Sequence, residues 1–135
     1  MNEMVVNVST EQGRVPVTIF HISGDIDGKT YDQLQAQADQ AYQAGMRDLL
    51  LDLTHVNYVS SAGIRALHYI FKLLRTNAPS ESDEVMKKGL MDGSFKSPHL
   101  KLLNPSPEVS KVLKITGMDM YMEVFRDQKN AVSSF

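Results

Sequence analysis

The chain reads as an α/β protein: a mixed, mainly parallel sheet that opens with an N-terminal hairpin and carries three to four helices. Three observations lead there. Two β-rich runs near the N-terminus flank a polar turn containing a glycine. A dense apolar run, LLLDL at 49–53, has the character of a central parallel strand buried on both faces. After the hairpin, helical and extended periodicities alternate as α, β, α, β, α, β, and right-handed crossovers turn that alternation into parallel strands.

The elements follow in order. Residues 4–8, MVVNV, and 15–22, VPVTIFHI, are the two arms of the hairpin, with Gly13 available for the turn. In the second arm Val15, Val17, Ile19 and His21 alternate with Pro16, Thr18, Phe20 and Ile22. Both faces become apolar, so this strand moves inward from an edge, with Pro16 tolerated near its start. From Thr30 a helix is expected, with Thr30 as N-cap and Gln33 completing a capping box. Tyr31, Leu34, Ala38 and Ala41 form a thin apolar stripe suited to one face of a sheet, and Gly45 stops the helix.

A central strand at 48–53 then gives way to a short polar loop, and Ile64, Leu67, His68, Phe71, Leu74 and Arg75 mark the next helix. Residues 77–98, with two prolines, two glycines and mixed charge, read as an exposed insertion loop in which 83–90 has room for a short helix. Such an insertion sets partner choice, meets a second copy, or is simply tolerated, since long loops cost little stability. A strand at 100–103 follows. Ser106 as N-cap and Pro107 at the first helical position open a helix through Val109, Val112, Leu113 and Thr116 to Gly117. A strand at 121–125 and a polar tail end the chain.

Composition narrows the function classes. At 135 residues, 1–135 is expected to be a single domain, long enough for one core. The absence of cysteine removes disulfides, thiolate catalysis and sulfur-based zinc sites. A net charge of -2 without basic clusters gives no footprint for nucleic acid or anionic lipid. No apolar run approaches the roughly 18 residues of a membrane helix, and the first residues lack the features of a secretory signal. A cytoplasmic protein is expected, with no membrane association and a protein or small molecule as its partner.

Three catalytic motifs are approached and missed. GDIDGKT at 24–30 follows a strand and precedes a helix as a phosphate-binding loop does, and LLLD at 49–52 imitates its companion strand. The loop has one residue too few between its glycines, and Asp25 and Asp27 would repel a triphosphate. His21, His55, His68 and His99 show no metal-ligand spacing, so packed or surface histidines are expected and no metal. Ser60 and Ser61 stand at a strand-to-helix turn, but a nucleophile elbow requires glycine where Val59 stands, so no enzyme is expected. What remains is a helix start with two hydroxyls. Serine is favoured there as a cap for local reasons, and the free N–H groups and helix dipole also suit an added phosphate.

GDID at 24–27, DLTHVNYVSSAGIRAL at 52–67 and NPSPEVSKVLKITGMD at 104–119 together resemble the STAS domain, specifically the stand-alone bacterial anti-sigma factor antagonists. The resemblance runs in order over nearly the whole chain and implies a STAS-like fold. It further implies that Ser61 is phosphorylated by a cognate serine kinase that is also the anti-sigma factor. The unphosphorylated protein would bind that kinase and release sigma factor, and a metal-dependent serine phosphatase would reset the switch. ATP and magnesium would belong to those partners, leaving this chain without a cofactor. Asp27 would lie near the phosphorylatable turn, Ala62 and Gly63 would permit close approach of the partner, and Asp27, Ser60, Ser61, Ala62, Gly63, Ile64 and Arg65 would form the partner surface. Many phosphorylated members carry aspartate immediately before the serine, where this chain has Ser60, so Ser60 is a second acceptor candidate. The protein is expected as a monomer or weak homodimer. A non-switching STAS scaffold subunit of a signalling or transport complex, and a small-ligand-binding STAS module, are the alternatives.

Overall fold

A computed structural model describes residues 4–75 and 97–135. Its elements are β1 (Val5–Gln12), β2 (Pro16–Ile26), α1 (Tyr31–Gln43), β3 (Leu49–Val59), α2 (Ser61–Arg75), β4 (Leu100–Leu103), α3 (Pro107–Thr116), a 3₁₀ turn (Met118–Met120), β5 (Val124–Phe125) and α4 (Gln128–Ser134). The strands form one sheet in the order β1-β2-β3-β4-β5. β1 and β2 are antiparallel, and every later pairing is parallel. The expected mixed sheet with an opening hairpin is therefore present.

Alternation along the strands divides the apolar residues between two layers. Phe20, Ile22, Leu49, Leu51, Leu53 and Val56 form the larger core with Leu34 and Ala38 of α1, Leu67, Ile70, Phe71 and Leu74 of α2, and Val109 and Leu113 of α3. On the other face Val17, Ile19, Leu50 and Leu103 lie beneath Ala131 and Val132 of α4. On the same face Lys101 is only 4% exposed and holds α4 from below, its Nζ donating to the Ser134 carbonyl and hydroxyl at 3.0 Å each. A cation at a helix C-terminus meets carbonyls that have no intrahelical donor.

Several boundaries differ from the sequence expectation. β3 does not end at 53; it continues to Val59 beside an equally extended β2, with Asp25 opposite Tyr58 and Ile26 opposite Val59. β4 stops at Leu103, opposite Asp52, so the rest of β3 is paired with β2 but not with β4 and tolerates polar side chains. That is why a strand segment resembles a polar loop. β1 runs on to Gln12, and β5 is only two residues long, reached from the 3₁₀ turn at Met118–Met120 through irregular residues 121–123. The polar tail is α4, capped by Asp127, whose side chain accepts from the Asn130 N–H. Two buried side chains in seven residues are too few to give a periodic signal.

The capping box at Thr30 does not form. The Thr30 hydroxyl accepts from the Asp27 N–H at 2.9 Å and donates to the Asp25 carbonyl at 2.8 Å, and the Gln33 amide reaches the Met4 carbonyl instead. The helix ends expected at Gly45 (φ 111°) and Gly117 (φ 78°) both hold, and Gly117 is a left-handed cap. The insertion expected at 77–98 lies outside the described residues, apart from Ser97 and Pro98.

Candidate functional site

The carboxyl ends of β2 and β3 stop side by side, and the chain leaves each in a different way. After Ile26, Asp27 organises a tight turn. Its carbonyl accepts from the N–H groups of Thr30 at 3.2 Å and Tyr31 at 2.9 Å, and its Oδ1 accepts from the Lys29 N–H at 2.9 Å. After Val59 there is no loop. The Ser60 N–H donates to the Ile26 carbonyl at 2.9 Å, and α2 begins at the next residue. One hydrogen bond thus clamps the start of α2 against the end of β2, one residue from Asp27.

That junction separates the two serines. Ser60 is the N-cap: its Oγ accepts from the Gly63 N–H at 3.2 Å and its carbonyl from the Ile64 N–H at 2.9 Å. Ser61 is the first helical residue, exposed, and among the described residues its hydroxyl has no hydrogen-bond partner. The first-turn N–H groups of Ser61 and Ala62 precede the point where intrahelical acceptors begin. The first turn of α2 contains no acidic side chain of its own to set against the positive end of the helix.

The remaining expected residues divide by burial. Arg65 is exposed, four residues beyond Ser61 and one turn along the same face. Ile64 is half-buried against the larger core, and Ala62 is 7% exposed. Gly63 is buried, and a Cβ there would overlap the Ile26 carbonyl oxygen and crowd Val59. Its missing side chain therefore serves an approach inside the chain, of α2 to β2. Asp27, Ser60, Ser61 and Arg65 are gathered at one end of the sheet, and Ala62, Gly63 and Ile64 form the packed base beneath them.

All four histidines are packed or at the surface as expected, and two of them, His21 and His99, bond to carboxylates. His21 Nδ1 lies 2.8 Å from Asp52 Oδ2, and His99 Nδ1 lies 2.9 Å from Asp48 Oδ1. His68 is stacked near Phe71 and Tyr121, and burial, reinforced by Lys72, holds its pKa below the ordinary 6.5. His55 is on an exposed stretch of β3, not in a loop. Asp52 lies mid-strand, not at a strand end. Burial pushes its carboxyl up, but hydrogen bonds from Thr54 and His21 outweigh it and hold the group below the ordinary 3.8. Ser9 Oγ completes a row with His21 Nε2 at 2.9 Å. This row was invisible in the sequence, because its members are 12 and 31 residues apart and meet only through strand register. Among the described residues no cluster of three or more His, Cys, Asp or Glu side chains is placed to hold a metal, and no described helix is long and apolar enough to cross a membrane.

The model of the STAS domain family matches residues 8–78, just over half of the chain. Among curated proteins no relative matches by sequence. By structure the chain is similar to an anti-sigma factor antagonist from Mycobacterium paratuberculosis, at 17% identity over 98% of this chain and 93% of that one, with a TM-score of 0.70. The anti-sigma factor antagonist SpoIIAA in its unphosphorylated form aligns at 17% identity over 93% of each chain, with a TM-score of 0.65. A Planctomyces limnophilus anti-sigma factor antagonist (STAS) domain protein aligns at 20% identity over 94% and 93% of the two chains, with a TM-score of 0.65. At these identities the likeness is one of fold.

Proposed function

The chain belongs to the STAS domain family, and from that premise we propose that it is an anti-sigma factor antagonist controlled by phosphorylation at Ser61. The unphosphorylated form binds a cognate anti-sigma factor that is also a serine kinase. Phosphorylation of Ser61 ends that binding, and a metal-dependent serine phosphatase restores it. The protein acts in the cytoplasm as a binding module without catalysis of its own.

One observation carries the choice of residue: Ser60 spends its hydroxyl on the Gly63 N–H, whereas Ser61 is exposed with its hydroxyl uncommitted. A phosphate adds roughly −1.5 to −2 charges. At the first helical position it meets free N–H groups and the positive end of the dipole, so the fold tolerates it. A partner surface fitted to a neutral hydroxyl does not, because the new charge must be desolvated against it. Asp27, Ser60 and Arg65 frame that surface, with Ile64, Ala62 and Gly63 as its rigid floor. The fold supports this reading, since several structural neighbours are described as anti-sigma factor antagonists and one is SpoIIAA of Bacillus in its phosphorylated form.

The test is incubation with ATP and the serine kinase encoded beside this gene, followed by mapping of the phosphate. Phosphate on Ser61, lost in Ser61→Ala, is expected. Ser61→Asp is expected to weaken kinase binding by about 5- to 150-fold, the usual range of a regulatory coupling, while Ser61→Ala binds constitutively. Absence of phosphate from both serines, together with no binding of the unmodified protein, overturns the proposal. A permanent complex indifferent to Ser61→Asp identifies a scaffold subunit instead.

A further inference from the structure

The polar row on the sheet face opposite α1, α2 and α3 has a chemistry that the partner switch does not use. His21 on β2 stands opposite Asp52 on β3, and Ser9 on β1 stands opposite Ile19, one residue pair along the same face. The separations are 2.9 Å from Ser9 Oγ to His21 Nε2 and 2.8 Å from His21 Nδ1 to Asp52 Oδ2. Side-chain exposure is 34% for His21 and 14% for Asp52, so the carboxylate is sheltered while the imidazole is open to a small reagent.

The bonding pattern decides where the protons sit. Asp52 Oδ1 accepts from the Thr54 N–H at 3.1 Å and from the Thr54 hydroxyl, which fixes the carboxylate. Its Oδ2 then takes the Nδ1–H of His21 and leaves Nε2 as a lone pair directed at the Ser9 hydroxyl. An alcohol, an imidazole that accepts its proton and a carboxylate that orients the imidazole make an activated nucleophile. His99 and Asp48 have the last two parts, but among the described residues no hydroxyl bonds the other ring nitrogen of His99.

We propose that Ser9 is an acyl-acceptor site that takes the acyl group of a neutral activated ester. Ser9 Oγ forms a bond to the carbonyl carbon as its proton passes to His21 Nε2. The ester C–O bond breaks, its electron pair leaves with the departing oxygen, and His21 gives the proton to that oxygen or to water.

The surroundings limit this chemistry to one transfer. The Thr18 N–H donates to the Asp48 carbonyl on the β3 side, so Thr10 opposite it turns its N–H to the free edge of the sheet and Ser9 uses its own in the β1–β2 ladder. Ser9 therefore has no N–H of its own free for a developing oxyanion, a device worth about 10²–10³ in rate. The acyl-serine accumulates because it is a simple alkyl ester, whose serine oxygen leaves far less readily than the oxygen of the activated donor. The donor class follows from charge. Glu11 lies two residues from Ser9 on the same face of β1, and Asp52 ends the row. These carboxylates disfavour an anionic donor.

The test uses the intact protein and p-nitrophenyl acetate, with acetyl groups located residue by residue by mass spectrometry. Ser9 is expected to be acetylated about a hundredfold faster than Ser61 or Ser133, the contribution ordinary for a positioned general base, with release of about one equivalent of p-nitrophenolate from that site. Ser9→Ala removes that equivalent. Asp52→Asn and His21→Gln slow Ser9 acetylation by a similar factor and leave labelling of surface lysines unchanged, which a merely structural network would not do. The comparison of Ser9 with Ser61 and Ser133 needs no variant and stands even if a substitution unfolds the chain. Equal rates at the three serines, or an unaltered Ser9 rate in folded Asp52→Asn, overturn the proposal.

Discussion

The starts of α2 and α3 use the same cap and come to opposite ends. In both, a serine Oγ accepts from the N–H three residues on: Ser60 from Gly63 at 3.2 Å and Ser106 from Val109 at 3.3 Å. The following residue separates them. Pro107 has neither an N–H nor a hydroxyl, so the first turn of α3 offers a ligand little, whereas Ser61 presents both at the same position. The capped residue differs as well. Val109 is fully buried in the larger core, while Gly63 has no room for a side chain because the Ile26 carbonyl occupies that space. Capping is a stability device that either helix end needs. The first helical residue decides whether that end is also available for chemistry, and the third decides how closely the helix approaches the sheet.

The largest test of this contrast exchanges what the third positions tolerate. Gly63→Ala is expected to destabilise the protein by about 3 kcal/mol, because the added methyl meets backbone and not a side chain that can turn away. Val109→Ala is expected to cost about 2 kcal/mol for the opposite reason, a void the size of two methyl groups in the core. Denaturant melts measure both, and a Gly63→Ala protein as stable as the parent would show that α2 has slack against β2. Next come the caps. Ser60→Ala and Ser106→Ala should each lose about 1 kcal/mol, and a clearly smaller loss at Ser60 would indicate that its clamp on Ile26 carries the junction without the hydroxyl.

Ser61 should separate stability from binding. Ser61→Ala is expected to stay within about 0.5 kcal/mol of the parent. Ser61→Asp should gain about 0.5 kcal/mol from the helix dipole while it weakens partner binding. The smallest effect tests the link between the two helices, since His68 of α2 lies against Tyr121 in the segment after α3. Its folded pKa is held below 6.5, so as pH falls past that value the unfolded chain takes up the proton first. Stability declines through that window until the folded ring is protonated too. His68→Gln should flatten that part of a stability–pH profile.

The contrast also explains what was legible beforehand. Ser106-Pro107 through Gly117 is read correctly from the chain because each signal is local: a cap, a fixed φ and a left-handed stop, all within one helix. Thr30 carries equally local signals, yet its capping box fails because Asp25 and Asp27 compete for the same hydroxyl and Gln33 is drawn to Met4. The mixed sheet, the hairpin and the family were likewise legible, since apolar periodicity and the VSSAGI and VLKITG motifs are written along the chain.

Taken alone, the sequence determined the order and type of the main elements and brought the candidate switch down to two adjacent serines. It ranked Ser61 before Ser60 only through the family resemblance, ended β3 six residues early and left α4 unseen. Tertiary structure decided the rest. The Ile26 carbonyl, 34 residues from Ser60, captures its N–H, sets where α2 begins, and so makes Ser60 the cap and Ser61 the free hydroxyl. Strand register brings Ser9, His21 and Asp52 into one row although no spacing in the chain relates them. Local propensity acts over a few residues, and both of these sites depend on pairings between strands far apart in sequence, which exist only once the sheet has formed.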